Sequence, residues 1–361
     1  MDTTVTSGDF LIRSLTQEDD KAVRYLLEAY PEPGLVSTVM QMRSELVGQA
    51  FNLIRPGSYS LGAFLPEDNT NTHLVGVIYG WPHQIQVKGQ LYPALLIYGL
   101  VVQPEYRNLE LGVLLRSKLL NWSAQNFDKN KLVVYAYTQK PGPDEQLKAT
   151  NRHLALTPVK TLSGVRVGSG CQVKVREASQ ADLTIIVQGL NEFYRDYAFY
   201  SPQTHAGLSD WLTPKKLDGI ELPLAKYYVI PDESGSIQAG LGIFNTTLLY
   251  DVQVTQVPTP VRLLNKILKV IPEDGFLKLL QVSRIWYSAG QLPLARKLWG
   301  EVRAIENTRG SSLVVSFDPG TPLKDLFNLP FTHLTSKMSL IVHQAPAELD
   351  FSKSLLAPYE S

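Results

Sequence analysis

LVVQPEYRNLELGVLLRSKLL, running from Leu100 to Leu120, reads as the apolar end of a strand, a proline-led turn and a helix. Leu111, Leu114, Leu115, Leu119 and Trp122 recur at helical spacing and mark one face of that helix. A helix that starts at the end of a strand presents backbone N–H groups with no partner inside the helix, and its dipole adds to their pull on phosphate oxygens. Upstream, SLGAFL near Ser60, HLVGVIYGW from His73 and LYPALLIYGLVV from Leu91 have the composition of strands in a meander. Downstream, KLVVYAY from Lys131 is a further strand, so the order strand, helix, strand implies a parallel pair. A helix around Asp144 to Leu154 and a closing strand pair through Val159 to Val167 complete this half.

The start of the chain recurs in its middle at an offset of 163 residues, FLIRSLTQEDDKAVRYLLEAY from Phe10 matching VKVREASQADLTIIVQGLNEFY from Val173. Arg13 meets Arg176, Gln17 meets Gln180 and Asp19 meets Asp182, with Thr16 and Ser179 placed to cap the helix that follows each strand. Later elements recur too: strands at AKYYVI from Ala225, IQAGLGIF from Ile237 and FLKLLQVSRIWY from Phe276, then a turn at Ser288 to Leu292. A helix with Leu294, Leu298, Val302 and Ile305 on one face follows, and SLVVSF, PLKDLFNLPF and MSLIV end the copy. Gly168, Ser169 and Gly170 form a flexible joint, which divides the chain into domains at 1–167 and 168–361.

Composition narrows the function. A chain of 361 residues suits two cores, and 44% hydrophobic with 19% charged residues is the balance of folded domains. Thirty-four basic residues offset thirty-four acidic ones, so no overall field gathers nucleic acid. Single Cys171 allows no intramolecular disulfide, residues Met1 to Phe10 lack the pattern of a secretion signal, and no stretch reaches the roughly 18 apolar residues of a membrane span. A cytoplasmic protein without a membrane span is expected. No paired metal-ligand spacing, Gly-x-Ser-x-Gly or Walker-type loop is present, so no metal is expected.

Residues 100–120 resemble the acetyl-CoA motif of the GNAT acetyltransferases, in which a strand runs into a V-x-P-x-Y-R turn and then a helix. The resemblance implies an α+β fold of two tandem GNAT-like domains, each a mixed central sheet flanked by helices and splayed between its fourth and fifth strands. It implies acetyl-CoA or another acyl-CoA as cofactor, with Leu100, Val101 and Val102 along the pantetheine, and Arg107, Asn108, Leu109, Glu110, Leu111, Gly112 and Val113 around the pyrophosphate. Arg107 and Gly112 match the family's loop, while Glu110 stands where its first glycine should be. Ala155 replaces the glycine of the family's final turn, and Asn151 takes the place of its usual tyrosine acid. In the second copy, SRIWYSAGQLPLARKLW from Ser283 lacks the arginine and proline lead-in and keeps Gly290 and Ala295 as small residues. The turn LPF from Leu329 resembles the family's final turn.

The implied activity is transfer of an acetyl group to an amine of a small molecule or peptide. His83, in a loop, and Tyr98, the one ionisable group on the Ala94 to Val102 strand, are the candidates for handling the proton. The packing reading is the better one for Tyr98, and for Tyr194, Tyr197 and Tyr200 as well. Acceptor choice falls to loops at Pro31 to Met42 and Trp81 to Gln90. VRLLNKILKV from Val261 is a basic amphipathic stretch for which packing on its own domain is favoured over a membrane surface. A non-catalytic tandem protein that binds a ligand or partner in the same pocket is the second reading. Oligomeric state is not legible.

Overall fold

Each copy opens with the same clasp. In the computed structural model, which describes residues 10–31, 37–66, 72–138, 154–160, 175–268, 271–307, 312–327, 338–349, 351 and 354–358, Arg13 donates two hydrogen bonds of 2.7 Å to the Asp19 carboxylate. Arg176 donates to Asp182 at 2.6 and 2.9 Å. Both carboxylates also accept from the backbone N–H and the hydroxyl of the capping residue, Thr16 at 2.8 and 3.1 Å and Ser179 at 2.7 Å each. The hydroxyls thus donate to a carboxylate that reaches back from the first turn, and the matched residues of the two segments prove to be one device built twice.

The first half runs β1 (Leu11–Ser14), α1 (Asp20–Ala29), β2 (Ser37–Met42), α2 (Val47–Ile54), β3 (Tyr59–Pro66), β4 (Thr72–Val87), β5 (Gln90–Val102), α3 (Leu111–Asn126), β6 (Val133–Thr138) and β7 (Leu154–Lys160). The second runs β8 (Arg176–Glu177), α4 (Leu183–Phe193), β9 (Tyr197–Ala198), α5 (His205–Leu212), β10 (Lys215–Leu217), β11 (Ile220–Leu222), β12 (Ala225–Pro231), β13 (Ile237–Asn245) and β14 (Tyr250–Gln256). It ends with α6 (Thr259–Leu268), β15 (Phe276–Leu277), β16 (Leu279–Tyr287), α7 (Leu292–Asn307), β17 (Ser312–Phe317), α8 (Leu323–Phe327), β18 (Met338–Gln344) and β19 (Leu355–Leu356).

Twelve strands form one sheet in the order β1-β3-β4-β5-β6-β18-β7-β17-β16-β13-β12-β8. The closing strands are exchanged. β7 lies antiparallel on β17 of the second copy, and β18 lies antiparallel on both β6 and β7. Sequence order suggests that each copy completes its own sheet; exchange instead covers the edge that each half would otherwise present to solvent. A three-stranded sheet, β15-β14-β2, joins the halves again. The expected helix at Asp144 to Leu154 except its last residue, the strand beyond Lys160, the 167/168 division, the Gly168 joint, Cys171 and the turn at Leu329 lie outside the described residues.

On one face of the sheet, α3 buries Leu111, Leu115 and Leu119 against Ile78, Leu95, Ile97, Leu132 and Val134. Ser123 completes that face, while Trp122 is half-buried and stacks on Tyr59 at 4.1 Å. On the other face, Val23, Leu26 and Leu27 of α1 share a core with Phe244 and Leu249 of the second half. In α7 the buried apolar side chains are Ala295, Leu298, Trp299 and Val302; Ile305 is 41% exposed, and the buried line ends instead on Glu306, which accepts from Tyr228 Oη at 2.6 Å. β4 and β5 form a long hairpin whose turn is only Lys88 and Gly89, with φ of 51° and 76°. The loop expected from Trp81 to Gln90 is therefore mostly strand.

The clasps fix a pH dependence. Hydrogen bonds from Arg13 and Arg176 hold the Asp19 and Asp182 carboxyls below the usual carboxylate range, Asp182 the further of the two. Their contribution to stability is complete above the unfolded-state value of about 4 and is lost as pH falls below it toward the folded values. The Arg176 side chain is 45% exposed, and solvent screening limits the gain. Asp182→Asn should cost about 1–2 kcal/mol at pH 7 in urea unfolding and roughly a third of that at pH 2, so its stability curve is flatter on the acid side.

Candidate functional site

β5 and β6 run parallel with Ala94 to Ile97 paired to Val133 to Ala136. Pairing stops there, although β5 continues to Val102 and β6 to Thr138. The cause is a bulge in β5: Tyr79 faces Tyr98 and Val77 faces Val101, so Gly99 and Leu100 together oppose Ile78. Gly99 has φ +60°, and a Cβ there would lie 2.9 Å from the Tyr79 ring. Only glycine fits both demands. The same device recurs in β16, where pairing to β17 ends at Gln281–Val314 and the bulge residue Arg284 has φ +50°.

Past the splay, a 3-10 turn at Pro104–Leu109 leads to Glu110, whose φ of 55° and ψ of 19° are left-handed, and α3 begins at Leu111. Glu110 thus adopts the backbone that glycine would take freely, and its exposed carboxylate stands beside the helix start. The turn is fastened from both sides. The Gln103 N–H donates to Val75 O at 2.9 Å and its side chain to Leu74 O at 3.0 Å. The alternation of an antiparallel ladder then turns the polar groups of Val102 away from β4, and Arg107 Nε donates to the Val102 carbonyl at 3.0 Å. Arg107 is exposed, so the rest of its guanidinium stands near the mouth of the splay.

The expected cofactor residues take different positions. Leu100 and Val113 are 45% and 46% exposed, Asn108 is exposed, and Val101 and Leu109 are half-buried. Leu111 is fully buried, which leaves it only its backbone N–H to offer. A Cβ on Gly112 would meet nothing nearer than Leu100 Cδ2 at 3.5 Å. Packing does not require glycine there, and its absent side chain keeps the approach to the helix start open. Residues of this kind, with free first-turn N–H directions and a surface arginine, fit a pyrophosphate; the Glu110 carboxylate opposes it.

His83 is on β4, opposite Ala94, rather than in a loop. Its Nδ1 lies 3.1 Å from the Trp81 carbonyl, which can only accept, so Nδ1 carries the proton and Nε2 accepts from Tyr135 Oη at 2.9 Å. The ring stacks on Trp81 at 4.2 Å. Burial pulls its pKa down to about 4, with nearby Arg55 acting in the same direction against the Trp81 bond. Tyr98 donates to Ser58 Oγ at 2.9 Å and lies under the Arg55 guanidinium at 4.3 Å, a packed and bonded position.

A pocket lined by Trp81, His83, Leu96, Tyr135, Tyr137, Tyr194, Phe199, Tyr200, Ser201, Ala357 and Pro358 opens beside this pair. β9 and its flanks close it, because Gln86 N–H donates to Tyr200 O at 2.7 Å and Phe199 N–H to Gln86 O at 3.0 Å. Tyr194, Tyr197 and Tyr200 are buried, and α4 ends before all three. Tyr135 and Tyr137 are not among the residues expected from the sequence. The alternation VYAY already places both on one face of β6, but what faces them comes from the second half.

The second splay is differently furnished. Arg284 stacks on Trp211 at 4.1 Å, and Tyr197, Trp286 and Leu355 pack in one cluster beside it. Asn151 and His153 lie outside the described residues, as does the side chain of Ala155. Among the described residues no group of three or more His, Cys, Asp or Glu is placed to hold a metal, and no helix is long and apolar enough to cross a membrane.

No family model matches the sequence, and no curated relative matches it. Solved structures do match. Saccharomyces cerevisiae N-myristoyltransferase with bound myristoyl-CoA superposes with a TM-score of 0.64 at 13% identity, over 95% of this chain and 85% of that one. A second structure of that enzyme, with inhibitors also bound, gives 0.63 at 11% over 98% and 87%. A GCN5-related N-acetyltransferase from Kribbella flavida gives 0.51 at 17% over 92% and 70%. The chain shares its fold with these solved N-acyltransferases.

Backbone geometry at the bulge and the turn predicts opposite outcomes for two small substitutions. Gly99→Ala should lower stability by at least about 2 kcal/mol, combining left-handed strain with the Tyr79 clash. Glu110→Gly should change it by less than about 1 kcal/mol, because relief of strain opposes the greater freedom of the unfolded chain. Urea unfolding midpoints check both.

Proposed function

We propose that the protein is an acyl-CoA-dependent N-acyltransferase, with the cofactor held by the first copy, residues 1–167. The observation that carries this reading is the parting of β5 from β6 after Ile97 and Ala136 directly before a turn that ends at the N-terminus of α3. In this reading the open edge of Leu100 to Val102 takes pantetheine. Arg107 and the N–H groups of Leu111 to Val113 hold the pyrophosphate, and an amine attacks the thioester beside the tyrosine-lined pocket. Acetyl-CoA is the proposed donor; the yeast enzyme's myristoyl-CoA makes a longer chain the natural comparison. The second copy, 168–361, supplies the pocket wall and the exchanged strand. A chain with Cys171 as its one cysteine suits a reducing cytoplasm.

Chemically the site needs no strong acid or base of its own. Placing a neutral amine against a thioester supplies most of the acceleration, and the protein's work is to orient the amine, exclude water and accept a proton. A second reading, a binding protein without activity, is favoured by one feature: the Glu110 carboxylate at the place for phosphate.

Calorimetric titration with acetyl-CoA tests the choice. Micromolar binding that weakens about tenfold or more in Arg107→Ala supports the enzyme, since a charge-assisted contact to phosphate is worth about 1.5–3 kcal/mol. Absence of binding in the wild type with recovery in Glu110→Gly supports the binding protein instead.

A further inference from the structure

The tyrosine-lined pocket has a chemistry more specific than the fold requires. Leu96 belongs to the last stretch of β5 paired to β6, and Tyr137 is one residue beyond the final pair, so the pocket adjoins the point where the strands part. Its described lining contains no Asp, Glu, Lys or Arg. Its polar side chains are those of His83, Tyr135, Tyr137, Tyr194, Tyr200 and Ser201, and Tyr135 Oη is bonded to His83 Nε2 at 2.9 Å. Arg55, a buried cation, lies 5.9 Å from the ring of Trp81 and 4.3 Å from that of Tyr98.

We propose that this pocket is the acceptor site and that it takes an uncharged primary amine carried on a flat aromatic or apolar body, its nitrogen hydrogen-bonded to Tyr135 Oη. The role as acceptor site rests on the acyltransferase reading; the class of ligand rests on the pocket alone. A protonated amine entering it would lose its hydration, find no described carboxylate and approach the charge of Arg55. A neutral amine meets matching groups. Trp81, Tyr137, Tyr194 and Tyr200 supply rings for a flat body, and a hydroxyl that already donates to His83 Nε2 can still accept from the amine N–H.

The tautomer gives the proton a route. As the nitrogen lone pair forms the C–N bond and the C–S bond breaks, the surplus proton on nitrogen passes to Tyr135 Oη while the Tyr135 proton moves to His83 Nε2. Because a buried imidazolium is unfavourable, the relay then runs back: His83 Nε2 returns its proton to Tyr135 Oη, and Tyr135 passes the surplus proton to the departing sulfur, leaving amide and thiol. The proton-handling role expected of His83 thus passes to Tyr135, which touches the acceptor, and His83 acts through it.

Binding of 2-phenylethylamine, followed calorimetrically at pH 7, 8 and 9 with 2-phenylethanol as the uncharged control, tests the proposal. The apparent Kd for the amine should fall about tenfold per pH unit below the amine's own pKa of about 10, while that of the alcohol stays constant. Around the pocket, His83 remains neutral across this range, Tyr135, Tyr137, Tyr194 and Tyr200 are the phenols, and Arg55 is the nearby cation. Tyr135→Phe, shown to be folded by its near-ultraviolet spectrum, should weaken amine binding at pH 9 several-fold. An amine affinity independent of pH would overturn the proposal in favour of an ammonium held by cation–π contacts. No amine binding at pH 9 by protein that binds acetyl-CoA would overturn it while leaving the acyltransferase reading intact. Binding with the expected pH slope, in protein that binds no acyl-CoA, would remove the acyltransferase reading and keep the ligand class.

Discussion

The left-handed bulge in β5 is the constraint on which the site depends. Two parallel strands of a twisted sheet ordinarily stay paired to their ends. Gly99 and Leu100, set against the single residue Ile78, turn the last part of β5 off the sheet axis, and β6 does not follow. From that parting come an unpaired strand edge, the anchoring of Arg107 on Val102, and the delivery of the α3 N-terminus to the gap. The requirement falls on one small residue: at Gly99 the conformation and the Tyr79 ring each exclude a side chain.

In the second copy the bulge persists with Arg284 in the left-handed position, held by Trp211 and by Gln203 at 3.3 Å. The backbone device survives where the residues suited to phosphate do not. Exchange of β7 and β18 explains why the second copy is retained whatever becomes of its own cleft. Each half's sheet is continued by a strand of the other, β7 and β18, and the pocket beside the first splay borrows Tyr194, Tyr200 and Ser201 from the second. The two copies are one folding problem.

What the sequence discloses follows the range of the interaction. Arg13 with Asp19 and Arg176 with Asp182 are six residues apart, so their pairing and its repetition could be read directly from spacing. The helix after Glu110 and the parallel pair around it were legible for the same reason. Strand exchange was not, because the alternation of apolar residues in MSLIV says which face is buried and nothing about which edge it joins. His83 was misplaced by its neighbours: Pro82 and Gln84 have the composition of a loop, and only the long hairpin with β5 holds them as strand. Tyr135 carried no signal beyond alternation, since His83 is 52 residues away and the wall opposite comes from another copy.

Hydrogen exchange measured by mass spectrometry, with and without acetyl-CoA, tests the central claim most directly. The account predicts added protection confined to residues 98–113, where the strand edge and the helix start receive the cofactor, with no change across 283–295. Protection that appears at 283–295, or that leaves 98–113 unchanged in protein that binds the ligand, would contradict it.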